Sequence, residues 1–210
     1  MRVAVLFSGG KDSSLSAFLM SPHFEVTLVT ATFGIEENWR VAKEVARILG
    51  YPYEVLKMDE EILEEAVEMM IRDGNTRKGF TEIHKKVIEE VSKRFSVIVD
   101  GIRRDDISPK LTLDEIRSLE SRLDIHYITP LMGFSRKTVN LMTRRYFEIE
   151  EGNNLYTSDY EFEVRSYMRD RGVDPSIVFP KNHVQSIVRA RKDGYGQEDA
   201  WKKVEISESI

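Results

Sequence analysis

At 210 residues, with 41% hydrophobic and 32% charged side chains, the chain can bury one ordinary core and has the balance of a soluble globular protein rather than a disordered or membrane chain. No apolar run reaches the roughly 18 residues of a bilayer span, and the lack of cysteine excludes disulfides, cysteine-ligated zinc or iron–sulfur clusters and a protein-borne persulfide. A formal net charge of −5 excludes a protein that coats nucleic acid by charge alone, and the expected location is cytoplasmic.

In chain order, residues 2–7 form a compact β-branched run ended by glycines, which reads as a buried strand and not as a signal peptide. Residues 13–20 place Leu15, Phe18 and Leu19 on one helical face before Ser21-Pro22, and residues 25–33 are a second buried strand. The alternation continues with helix 37–49 closed by Gly50, strand 53–57 and helix 60–72 closed by Gly74. Helix 80–94, strand 96–100, helix 112–123 and strand 125–128 follow. This order predicts an α/β fold, a Rossmann-like parallel sheet with helices on both faces. Beyond Pro130 the pattern predicts helices at 135–146, 158–171 and 182–193 and no strand between them. The expected division is an α/β domain over 1–147 and a helical C-terminal extension over 148–210 that is open to a substrate-binding role.

Charge is unevenly spread: acids outnumber bases over residues 36–68, and bases outnumber acids over 136–192, including Arg189, Arg191 and Lys192. That basic stretch reads either as a solvated helical surface or as a face for a polyanion. Tyr156, Tyr160, Phe162 and Tyr167, interleaved with Arg165, Arg169 and Arg171, fit a helix that packs its aromatic side inward better than a base-stacking platform.

Where the first strand meets the first helix, the chain reads Ser8-Gly9-Gly10-Lys11-Asp12-Ser13-Ser14. At that edge of an open sheet two glycines let the backbone approach an anion, and free amides at the helix N-terminus point toward phosphate. The serine hydroxyls and Lys11 add donors and a point charge. Asp12 would be repelled by phosphate unless a cation lies between them, which suggests magnesium. The spacing matches neither the Walker pattern nor the G-x-G-x-x-G fingerprint.

The segment resembles the PP-loop, S-G-G-x-D-S, of the N-type ATP pyrophosphatases, which belong to the adenine nucleotide alpha-hydrolase-like group. The likeness extends to Thr76-Arg77-Lys78-Gly79, to Gly101-Ile102-Arg103-Arg104-Asp105-Asp106, which is similar to the G-H-H-x-D-D motif of tRNA-thiolating and lysidine-forming members, and to Thr129-Pro130-Leu131 with Phe134, Arg136 and Lys137. It spans about residues 1–145. The resemblance implies ATP and Mg2+ as cofactors and an adenylation in which AMP is transferred to a carbonyl or amide oxygen and pyrophosphate leaves. A nitrogen or sulfur nucleophile then displaces AMP. It implies Lys11, Asp12 and Ser13 as catalytic residues, and Ser8 to Ser14 with Ala31, Thr32, Phe33 and Gly101 as nucleotide contacts. Asp12, Asp105 and Asp106 are the implied metal ligands.

The chain departs from that pattern where Ile102 and Arg103 replace both histidines and where no C-x-x-C pair exists, so cluster-assisted sulfur transfer is excluded. Asp105 and Asp106 also fit an acidic cap before Ser108-Pro109, and Phe33 also fits simple core packing. His84 and His126 read as structural histidines, and Asn182 as an N-cap beside His183. The acceptor is a tRNA base, in a tRNA modification reaction, or a small molecule. No membrane partner is expected, and a homodimer is compatible with the sequence. The competing class is a non-catalytic nucleotide-binding or sensing protein. A reductase of adenylylated sulfate would need a nucleophilic cysteine.

Overall fold

A computed structural model describes residues 1–153, 155–180 and 184–192. Its centre is a parallel sheet of β1 (Arg2–Leu6), β2 (Glu25–Thr32), β3 (Tyr53–Lys57), β4 (Val97–Val99) and β5 (His126–Ile128) in the order β3-β2-β1-β4-β5. β1 pairs with β2 from Arg2 opposite Glu25 to Leu6 opposite Val29, and with β4 at Ala4 and Val5. β1 from Val3 onward and β4 are continuous apolar runs because both of their faces are covered.

Helices α1 (Lys11–Met20) and α2 (Trp39–Leu49) lie on one face. There Leu15, Ala42, Val45 and Leu49 pack under Val3 and Val5. Helices α3 (Glu60–Asp73), α4 (Arg77–Ser92) and α5 (Leu113–Leu123) cover the other, where Leu63, Met70, Ile83 and Ile88 meet Ala4, Leu6 and Ile98. The chain leaves β1 toward β2 and β3, then returns to place β4 on the opposite side of β1. The strand order therefore reverses beside the carboxyl end of β1, which opens a crevice there.

After Pro130 the helices α6 (Arg136–Tyr146) and α7 (Tyr160–Asp170) are formed as expected. The segment expected as a helix over 182–193 is instead strand β7 (Val184–Arg191), antiparallel to an unexpected β6 (Phe147–Asn153). The predicted cap at Asn182 and His183 lie outside the described residues. Phe147, Ile187 and Val188 are buried in the same cluster as Leu15 and Val45, so the β6–β7 ribbon packs on the α1–α2 side of the sheet. Pairing with a partner strand satisfies the backbone here and overrides a helical spacing of apolar residues.

Candidate active site

The loop after β1 is built by close approach. Phe7 N–H still donates to Val29 O at 2.8 Å, extending the ladder by one residue before the chain turns away. Gly9 has φ +76°, in the left-handed region, and a side chain there would also meet Val45 and Ala42 of α2 at 3.2–3.3 Å. Gly10 caps α1 with extended backbone and no side chain of its own, while its carbonyl accepts the hydroxyls of Ser13 at 3.2 Å and Ser14 at 2.8 Å. The first-turn amides of a helix have no intrahelical partner, so those of Asp12 and Ser13 at the start of α1 are available to an anion. Gly101, just beyond β4, touches this turn: a Cβ there would lie 3.0 Å from Ser13 N and 3.2 Å from Asp12 C.

The ribbon closes the other side of the loop. Val188 N–H donates to Gly9 O at 3.2 Å, and Lys11 N–H donates to Ser186 Oγ at 3.3 Å. The Lys11 ammonium is buried and lies 3.0 Å from Glu151 Oε1 on β6. This contact holds the Glu151 carboxyl below its ordinary range, chiefly through its hydrogen bond with Lys11. The charge of the loop's lysine is thus met by a carboxylate of the ribbon.

Asp12 is largely buried, and burial pushes its carboxyl up despite the opposing charges of Arg103 and Lys11. Its Oδ2 lies 3.3 Å from Arg103 Nε, while Oδ1 is buried without a hydrogen-bond partner. Arg103 also grips Asp106, through its backbone N–H at 2.7 Å and its guanidinium. Asp105 turns away and accepts the Arg136 N–H at the start of α6 at 2.9 Å.

The three carboxylates expected to share a metal do not converge, and among the described residues no group of three or more His, Cys, Asp or Glu side chains could hold an ion. An arginine lies between two of them because it stands where the resembling motif has histidine. The free Asp12 Oδ1 fits a magnesium ion brought in on nucleotide phosphates, which needs only one or two protein carboxylates.

Two cavities flank the loop. One of about 220 Å³ is mainly apolar and lies between the ends of β1, β2 and β4 and the start of α7, lined by Leu6, Phe7, Val29, Ala31, Ile102 and Tyr160 among others. The other, of about 210 Å³, is polar and holds Lys11, Arg103, Arg136, Gln185 and Ser186. Ser8, Asp12, Ser13 and Asp159 line both. Asp159 is held by Thr157 Oγ1 and Gln185 Nε2, each 2.9 Å from its Oδ2, which ties the start of α7 to β7.

Of the residues expected at the site, Ser8, Gly10, Lys11, Asp12, Ser13, Ala31, Gly101 and Asp106 line one cavity or both. Ser14 is buried beneath the loop. Thr32 and Phe33 line neither. The Thr32 hydroxyl and the amides of Phe33, Gly34 and Ile35 all donate to the buried Glu163 carboxylate of α7 at 2.9–3.2 Å. Of the aromatic residues read as packing inward, Tyr167 is buried and Tyr160 and Phe162 are partly so, whereas Tyr156 is exposed; Arg171 and Arg165 stack over Tyr167 and Phe179 at 4.0 Å. Sequence reasoning missed Glu151, Ser186, Asp159 and Glu163, none of which lies in a recognisable motif. Arg103 was visible as a departure but not as a bridge.

A parallel α/β sheet with an anion-ready loop at its switch point defines the class of protein. Residues 1–190 match the family described as a family of unknown function (DUF7411), and the chain belongs to it. A protein of Methanocaldococcus jannaschii named only as uncharacterised is 41% identical over 201 residues, covering 92% of this chain and 98% of that one. A crystal structure from the same organism, titled a predicted subunit of tRNA methyltransferase, is 42% identical with a TM-score of 0.85 and covers 91% of this chain and 98% of its own. A U34-tRNA thiolase of Methanococcus maripaludis with an iron–sulfur cluster is 18% identical, with a TM-score of 0.47 over 69% of this chain and 55% of that one.

Proposed function

We propose that the protein is an ATP-using, AMP-forming ligase or transferase of the PP-loop kind, acting on a base in tRNA. The carrying observation is the pair of cavities that share one glycine loop. The apolar cavity suits the nucleoside of ATP and the polar one an acceptor, with the α1 amides and Lys11 facing the phosphates between them. In this reading an acceptor oxygen attacks the α-phosphorus, the bond from that phosphorus to the β-bridging oxygen breaks, and pyrophosphate leaves. A nitrogen or sulfur nucleophile then releases AMP. Magnesium supplies charge neutralisation on the departing pyrophosphate when bound beside Asp12. Arg103, with a buried Nη1 that has no partner, adds positive charge at the boundary of the two cavities.

The tRNA substrate rests on the solved relative described as a predicted subunit of tRNA methyltransferase, which also extends the proposal to a protein partner. The C-terminal segment, through Gln185 and Ser186, forms the acceptor-side wall. The test incubates pure protein with ATP, magnesium and unmodified tRNA, with oxygen-18 in the acceptor carbonyl. Label in AMP is expected; ADP with labelled phosphate would overturn the proposal. The Arg103 bridge between Asp12 and Asp106 favours a second reading, a nucleotide-binding subunit without chemistry. It predicts tight ATP binding and no AMP under the same conditions.

A further inference from the structure

Beside the loop, a buried polar trio is left unused by the chemistry above. Asp100, at the end of β4, accepts from His84 Nε2 of α4 at 2.5 Å and from the Tyr127 hydroxyl of β5 at 2.5 Å, both on Oδ2. Burial opposes its charge, but these contacts with His84 and Tyr127 and the Gly101 amide together hold the carboxyl below its ordinary range. A carboxylate acceptor places a proton on Nε2, and in the neutral imidazole Nδ1 is then the acceptor. His84 Nδ1 is buried and has no hydrogen-bond partner, although the residue is only 3% exposed. A histidine kept only for packing would ordinarily satisfy its second nitrogen.

His84 and Asp100 both line the apolar cavity, next to Tyr160, whose ring centroid is 6.3 Å from that of His84. Most other polar groups along this wall are spoken for. Ser158 Oγ bonds Asn38 O and Ala42 N, Asp159 is tied to Thr157 and Gln185, and the amides at the end of β2 are taken by Glu163. Ser8, Asp12 and Ser13 belong to the phosphate end. The nitrogen left over at the base end is that of His84.

We propose that His84 is the specificity-determining residue of the apolar cavity, its Nδ1 accepting a hydrogen bond from the exocyclic amino group of an adenine ring. Asp100 and Tyr127 act as positioning residues that fix the tautomer. A 6-oxo purine presents an acceptor at that position, so the pair is mismatched and the oxo base is rejected. This rests on the nucleotide reading of the site but not on any reaction there.

The test measures binding of ATP, inosine triphosphate and purine riboside triphosphate, which lacks the 6-amino group, by calorimetry. Wild-type protein should bind ATP about three- to tenfold more tightly than the riboside analogue, the range for one hydrogen bond, with the inosine compound weaker still. In His84→Phe the ATP preference should collapse toward parity while the riboside affinity holds. ATP preference unchanged in a folded His84→Phe protein overturns the proposal.

Should that variant fail to fold, nitrogen-15 spectra of the wild-type imidazoles decide. The His84 Nδ1 resonance should move with ATP and not with the riboside analogue, and no ATP-specific movement overturns the assignment. AMP formation failing while this discrimination persists would sink the proposed reaction alone. Loss of all nucleotide binding would sink both.

Discussion

Gly101→Ala tests whether β4 and the loop are in contact as described. An added Cβ would lie 3.0 Å from Ser13 N, 3.1 Å from Ser13 Cα and 3.2 Å from Asp12 C. All three are backbone atoms of the first turn of α1, so no rotamer change relieves the contact, and the turn must shift by a few tenths of an ångström. Overpacking of this kind costs about 1–3 kcal/mol, offset by about 0.4–1 kcal/mol because alanine has fewer unfolded conformations than glycine. The net, about 1–2 kcal/mol, corresponds to a fall in melting temperature of about 2–8 °C for a chain of this length. If the displaced amides also lose alignment with phosphate, ATP affinity drops by roughly tenfold for each 1.4 kcal/mol. The assay is thermal unfolding with and without an ATP analogue, alongside calorimetric binding. Gly133→Ala is the control, since a Cβ there meets nothing within 4 Å. A Gly101→Ala protein with wild-type melting and wild-type ATP affinity would refute the packing argument.

Glu151→Gln removes the carboxylate that meets Lys11. The free protein should melt lower by a few degrees while ATP binds more tightly, and equal or weaker ATP binding in a titration would show that Glu151 does not compete with phosphate. Asp12→Asn should abolish AMP formation yet leave nucleotide binding measurable by calorimetry. Because burial raises the Asp12 carboxyl above its unfolded value, ionising it costs stability as pH rises through the folded pKa. The asparagine variant should therefore gain stability over wild type toward neutral pH, as read by denaturant titration at pH 4 and 7. Glu115, which pairs with Lys85 and closes the capping box of α5 with Thr112, is pulled down to about 2, first by its hydrogen bond with Lys85. Its stabilisation is complete above about pH 4.5 and is lost as pH falls toward 2; being about a third exposed, it is worth about 1 kcal/mol, and Glu115→Gln should remove that pH-dependent part in acid unfolding.

The sheet was legible because its strands, such as Val3 to Leu6 and Val26 to Val29, are covered on both faces and leave compact apolar runs between helices with clear stops. The loop was legible because its glycines and serines are local in sequence. The ribbon was not. In β7, Val184, Ile187 and Val188 fall at helical spacing, and nothing local shows that the segment pairs with residues some forty positions earlier. In β6, Phe147 and Ile149 do alternate with glutamates, but the strand follows α6 without a breaker and carries an irregularity at Glu148 and Ile149. The same long-range placement hid Glu151 and Ser186 from the site. Arg103 between Asp12 and Asp106 was hidden for another reason: the two acids were read as partners of a metal ion, and their arginine neighbour was read as a missing histidine.

The hydrogen bond from Lys11 to Ser186 joins residues 175 positions apart, so the loop gains its last wall from almost the far end of the described chain. During synthesis the sheet and its glycine loop can form well before that strand leaves the ribosome. The closure entropy for so wide a contact must be met by the docked ribbon itself. A nascent chain would carry an open loop whose lysine and helix amides lack their final geometry, and under the proposed function nucleotide use would begin only when β7 docks. Ligand binding and the last folding step would then be thermodynamically linked, each favouring the other.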